Sequence, residues 1–327
     1  MNAWLSFLSS EHAQLRDSTI QSFGERPEDY SNLMSQGTMI PLTDRGVIKI
    51  TGIDTDKLLQ GQLTCDMKQL ELQSALPGAL CDTKGRMISN FIATRTEPET
   101  VLLVMAKPLL ETTLATLKKY AVFYKTTLTD NTDDYAFIGI TGDIPTASGF
   151  ITLTITPRQH LLMIPADQAQ NSWASLATSH KPVGEPFWDY LNIVHGIGEV
   201  RPQTREEFIP QMLNLQHLGG ISFRKGCYTG QEIIARMQYL GKLKRRMYRL
   251  RTQANTLFQP GTSIHSEEKT NQGTLVMAQW CGIDTQEVLA VLTADAAAAN
   301  TLIIGDAPCS IEILGLPYDE KFSGEQN

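Results

Sequence analysis

Residues 224–232, "RKGCYTGQE", set a single thiol just ahead of an apparent helix start, with two cationic side chains close before it. A helix N-terminus carries about half a positive charge, and neighbouring cations add to it; both favour the thiolate, which is the nucleophilic and metal-binding form of cysteine. Cys227 is therefore the candidate reactive group, and its competing reading is a small buried hydrophobe. The residues around it have a purely structural explanation. Thr229 and Glu232 form T-x-x-E, a capping box, and Tyr228 and Ile233 are spaced for a hydrophobic staple. Ile233, Met237 and Leu240 then stand at core spacing before the helix-ending Gly241. A Cys–His hydrolase needs a base, and no histidine is local: His217 lies ten residues upstream.

Just beyond, Lys242, Lys244, Arg245, Arg246, Arg249 and Arg251 crowd into ten residues. Alternation with Met247 and Tyr248 suits a strand with a solvated cationic face; the other reading is a docking surface for RNA phosphates or a polyglutamate tail. Across the 327 residues, 28 Lys and Arg face 35 Asp and Glu, a net charge of −7. That balance excludes nucleic-acid coating through bulk charge, so any anion site must be local. Cys65, Cys81, Cys227, Cys281 and Cys309 include no CxxC pair and no histidine at ligand spacing, so they read as separate reduced thiols with no metal site. The opening residues lack a basic n-region and no apolar run is long enough to span a bilayer, so a cytoplasmic protein is expected, without a membrane partner.

The elements that must position these groups read as an α+β chain. "GVIKITG", "GALCD", "RMISNFIATR" and "TVLLVMA" are strands, "KPLLETTLATLKKY" is a helix opened by Pro108, and "AVFYKTTL" reads as a returning strand, which together suggest a split βαβ unit. A second series, "YAFIGITG", "FITLTIT" and "HLLMIP", precedes two helices, the later one "EPFWDYLNIVHGIG". From Gly241 onward, short strands broken by Gly, Pro, Asn and Asp read as a small β-barrel or sandwich.

The segment "LGGISFRKGCYTGQEIIAR" resembles the signature of the YgfZ family, folate-binding proteins related to the T-protein (aminomethyltransferase) of the glycine cleavage system. "QGQLTCDM" and "CDTKGRMISN" are similar to the same family, in the same order, and the resemblance runs over about residues 40–250. It implies a three-domain ring of the aminomethyltransferase folate-binding type with a C-terminal β-barrel. Residues 1–52 plus 135–241 would form a discontinuous folate-binding domain, 53–134 an inserted ferredoxin-like domain and 242–327 the barrel. The resemblance also implies tetrahydrofolate or a one-carbon derivative as cofactor, and iron-sulfur enzymes such as tRNA methylthiotransferases as partners. Lys225, Gly226, Cys227, Tyr228, Gly230, Gln231 and Glu232 carry over as the signature, with Cys227 its functional thiol, and Trp188 as the folate-contacting tryptophan. An indole stacked on a pterin is physically reasonable, since both offer flat π-faces.

Two departures accompany the resemblance. Arg45 stands where some members have a second folate-contacting tryptophan, and Ser89 and Asn90 stand where the T-protein carries an acidic group near the folate nitrogen. Three functions follow as expectations: a folate-binding accessory protein supporting assembly or repair of iron-sulfur enzymes and thereby tRNA methylthiolation; a tetrahydrofolate-dependent aminomethyl-type transferase; and a regulatory folate sensor in which Cys227 is structural. The residues leave turnover and RNA contact open.

Overall fold

The computed structural model describes residues 3–144, 149–239, 241, 243–266 and 269–318; Leu240 and Lys242 of the sequence reading lie outside them. The described residues build two five-stranded sheets, one closed barrel and a small two-stranded sheet of Gln14–Arg16 with Thr19–Ser22. In the outer sheet the order is Ile151–Thr156, Gln159–Pro165, Tyr135–Thr141, Thr38–Leu42 and Lys181–Pro182. The strand Tyr135–Thr141 shows why both faces are covered, because neighbouring residues point opposite ways. Ile138 and Ile140 pack with Leu8, Trp173 and Leu176 of two helices, whereas Phe137 packs with Phe187, Trp188 and Leu191 of the helix Glu185–Val194.

The inserted sheet runs Ala75–Cys81, Met87–Glu97, Thr100–Ala106, Arg45–Thr51, Thr127–Asp130, every pair antiparallel. Thr100–Ala106 leads through the helix Leu110–Ala121 to Thr127–Asp130, and Arg45–Thr51 fills the slot between them: this is the split βαβ unit. A boundary at residue 52 would keep Arg45–Thr51 with the outer segment, but its ladders on both sides lie in the inserted sheet, so the chain changes sheets between Leu42 and Arg45. The helices carrying Leu58, Leu59 and Leu117 cover one face of the inserted sheet through Ile48, Ile50 and Leu103. Its other face, through Val47, Leu102 and Val104, packs onto Phe137 and Trp188. One expected strand is shortened. The helix extends to Ala121 and pairing starts only at Thr127, which leaves Val122 and Phe123 exposed.

Downstream, six strands from Arg245–Gln253 to Ala307–Leu314 close into a barrel, which removes every sheet edge. Where the three parts meet, Cys81, Ile193, Tyr228, Ile234, Met247 and Val276 share one apolar cluster. The helix Glu185–Val194 is closed there by Gly196 at φ +67°, the left-handed position a glycine favours, and the Tyr318 hydroxyl donates to its carbonyl at 2.8 Å.

Candidate functional site

The three sequence segments singled out above converge on the Cys227 loop. Residues 61–65 lie along 220–229 through a series of hydrogen bonds. Thr64 Oγ1 donates to the Gly220 carbonyl at 2.6 Å, Ser222 N–H to the Thr64 carbonyl at 2.9 Å, and Thr229 N–H to the Gly61 carbonyl at 3.2 Å. Lys225 is buried and its Nζ donates to the Leu63 and Cys65 carbonyls, each at 2.8 Å, with the Tyr228 ring 5.0 Å away. Burial depresses its pKa to about 8. On the other side, the turn 82–85 presses on Gly230, where a Cβ would lie 2.6 Å from the Asp82 carbonyl oxygen; φ there is +82°. Only glycine meets both conditions.

This tertiary wiring replaces the expected capping box. The Thr229 hydroxyl donates to Gln62 Oε1 at 3.1 Å and its N–H goes to Gly61, so the Thr229 amide is not there for Glu232 to accept, and Glu232 is exposed. The helix runs Gln231–Tyr239 and its first contacts are Gln231 N–H to Tyr228 and Ile234 N–H to Gly230. Tyr228 is buried in the central core. Lys225, expected as a cation beside the thiol, points inward to the inserted layer instead, and Arg224 remains at the surface.

Cys227 itself is exposed, against the reading of a buried hydrophobe. The other four thiols are buried or half-buried, and burial raises all of them, Cys65 to about 12 and Cys281 to about 11. His217, the nearest histidine upstream, stacks on Tyr318 with ring centroids 5.6 Å apart. The basic strand is largely paired internally: Arg249 and Arg251 both bond Glu287, and Arg251 also reaches Glu312. No set of three His, Cys, Asp or Glu side chains is placed to hold a metal ion among the described residues.

Trp188 is 4% exposed and its indole lies on Gly139, where a Cβ would overlap Cε3 and Cζ3. The tryptophan forms part of two cavities. A central one of about 80 Å³ lies where the parts meet, with Phe91, Asn90, Asn192, Arg45 and Glu199 in its walls. A second, about 450 Å³, opens toward the barrel between Trp188, Phe258, Pro260 and Met277. Cys227 lines neither of these two cavities.

Sequence reading missed the ionic network beside these cavities, because its members are separated by up to 157 positions. Arg45 pairs with Glu199 and with Asp44 at 3.1 Å; Arg201 pairs with Asp44 at 2.6 Å and Glu199 at 2.5 Å and reaches Asp189 at 3.7 Å. Burial opposes ionisation of Asp44, but Arg45 and Arg201 hold its carboxyl below the usual range. At Asp189 burial prevails and raises the pKa to about 6. The Arg45 guanidinium is thus committed to carboxylates of its own chain. Asn90 is equally committed: Nδ2 donates to the Gly198 carbonyl at 2.9 Å and Oδ1 accepts Val200 N–H at 2.8 Å.

For a folate, the chemistry of these walls fits: flat rings from Trp188 and Phe91, and amides at Asn90 and Asn192. Ligand pockets generally run from about 300 to 1,000 Å³, so the second cavity has the volume for such a molecule and the central one admits only part of it.

Comparison with known proteins places this geometry. Residues 22–155 match the GCVT N-terminal domain. The chain is 32% identical over 307 residues to the tRNA-modifying protein YgfZ of Photobacterium profundum, covering 86% of this chain and 92% of that one. It is 33% identical to the protein of the same name from Yersinia pestis, over 86% and 92% of the two chains. It is 31% identical to that from Colwellia psychrerythraea, over 91% and 96%. Among solved structures, the glycine cleavage system aminomethyltransferase T of Bartonella henselae superposes with a TM-score of 0.73 over 96% of each chain at 11% identity, which establishes the shared fold.

Proposed function

The chain belongs to the YgfZ family, and on that premise we propose that it is a folate-binding accessory protein for tRNA modification, acting by supporting assembly or repair of iron-sulfur enzymes such as tRNA methylthiotransferases. The tRNA-related part rests on the names of its relatives, and the folate part on the aminomethyltransferase fold and the aromatic and amide walls around Trp188. One observation carries the assignment of the thiol. Cys227 is the exposed cysteine of the five, on a loop whose backbone is fixed by hydrogen bonds to 61–65 and by the turn 82–85. A thiol held in place yet open to solvent is suited to meet a partner protein or its cluster.

Folate would supply a one-carbon carrier, with Trp188 as the stacking surface and Asn192 as the amide contact. The aminomethyl-transferase alternative is disfavoured at Asn90. That position offers an amide with both ends already bonded, where the T-protein reading calls for a carboxylate to activate the folate nitrogen. The sensor alternative is disfavoured by the exposure of Cys227, since a structural thiol packs inside.

The test is a paired measurement on Cys227→Ala. Methylthiolated nucleoside content of tRNA in a strain lacking the protein should recover with the wild-type chain and not with the variant, while tetrahydrofolate titration of purified variant stays normal. Full recovery by Cys227→Ala would overturn the role given to the thiol.

A further inference from the structure

Asn192 stands one helical turn after Trp188, so the two side chains share a face of the helix Glu185–Val194, and both line the central cavity. Of the polar side chains in that wall, Arg45, Glu199 and Asn90 are bonded at both ends to other parts of the chain. Asn192 is different. It is 5% exposed, its Oδ1 accepts a hydrogen bond from Gln159 Nε2 at 2.8 Å, and its Nδ2 has no acceptor among the described residues.

The orientation of this amide is set from further back. Gln159 is fully buried, and its Oε1 lies 2.7 Å from His195 Nδ1. A carboxamide oxygen can only accept, so Nδ1 is the protonated nitrogen of that imidazole. With the Nδ1–H tautomer of His195 the donors run from His195 to Gln159, from Gln159 to Asn192, and from Asn192 Nδ2 toward the cavity. Asn192 Nδ2 is not one of the fully buried unpartnered polar atoms among the described residues: it keeps access to the space beside Trp188 that Asn192 lines, where the acceptor of a bound molecule can reach it.

We infer that Asn192 is a specificity-determining residue, presenting a fixed hydrogen-bond donor to a carbonyl oxygen of the flat molecule that covers Trp188, with Gln159 and His195 as its positioning residues. This rests on the folate reading above, under which the acceptor is the oxo group of the pterin. It adds a selection rule: a heterocycle with oxygen at that place is accepted, and one with an amino group there meets a donor facing a donor.

The experiment compares tetrahydrofolate with its 4-amino counterpart by titration against the full-length protein. Wild type should prefer the oxo ligand. Asn192→Asp keeps the size and still accepts from Gln159, but turns the cavity-facing group into an acceptor, so the oxo-over-amino preference should fall by about tenfold or reverse. Gln159→Glu reaches the same end without altering residue 192: the glutamate still accepts from His195 but cannot donate, so Asn192 turns its Nδ2 to it and shows Oδ1 to the ligand. The preference should shift in the same direction. Equal loss for both ligands would mark Asn192 as merely structural and overturn the inference, as would an unchanged ratio in both variants. Failure of the wild type to bind either ligand would instead overturn the folate reading itself, and the inference with it.

Discussion

Lys225 offers the sharpest test of how the thiol loop is held. The residue is 8% exposed, its ammonium bonds two backbone carbonyls of the inserted layer, and burial lowers its pKa from 10.5 to about 8. Below pH 8 the lysine is protonated in folded and unfolded chains alike, and stability does not depend on pH through this group. Between pH 8 and 10.5 the unfolded chain keeps a proton that the folded chain has released. Stability therefore rises with pH across that window and levels off above it. At about 1.4 kcal/mol per pH unit, the gain by pH 10 is at most about 2–3 kcal/mol, and less to the extent that solvent screens the partly covered ammonium. The perturbation is Lys225→Met, which removes the titrating group and keeps the stem. Urea unfolding of both proteins from pH 7 to 10 gives the difference in stability, in which the titration of shared tyrosines largely cancels. Wild type should gain on the variant steadily above pH 8. A difference that stays flat from pH 7 to 10 would refute the lowered pKa and show that the two carbonyls and the Tyr228 ring hold the buried charge as well as water does.

Other consequences are simpler to measure. Under native conditions a disulfide reagent should titrate Cys227 quickly, half-buried Cys281 more slowly, and buried Cys65, Cys81 and Cys309 only on unfolding; Cys227→Ser should remove the fast phase, and a persistent fast phase would contradict the assignment of the exposed thiol. Gly139→Ala should overpack the indole of Trp188 and cost about 1–3 kcal/mol, with a shift in tryptophan fluorescence; an unchanged melting temperature would mean that the contact is loose.

Elements with strong periodicity were legible in the sequence. "TVLLVMA" and "YAFIGITG" are buried strands, the βαβ split follows from their order, and Gly196 ends the Trp188 helix as its position suggests. What local patterns could not show is where a side chain finds a partner from another element. Thr229 has the sequence of a cap, yet Gln62 and Gly61 take its groups from 167 and 168 positions away. Lys225 looked like a neighbour of the thiol and became an internal clamp. The run "AVFYK" has strand composition, but the helix before it extends to Ala121 and displaces the start of pairing. The Arg45–Glu199–Arg201 network had no signal beyond isolated charges. Asn192 did have one: it is four residues beyond Trp188, one turn along the same expected helix.

The wiring of residues 220–229 also bears on how this protein would transmit force. The long-range hydrogen bonds of that segment run to residues 61–65, at the end of the helix Thr55–Gln62 and just beyond it. The thiol therefore travels as cargo of the inserted layer. A partner that docks on that layer and tilts it would carry Cys227 along, whereas a distortion confined to the far wall of the barrel would leave the thiol where it is.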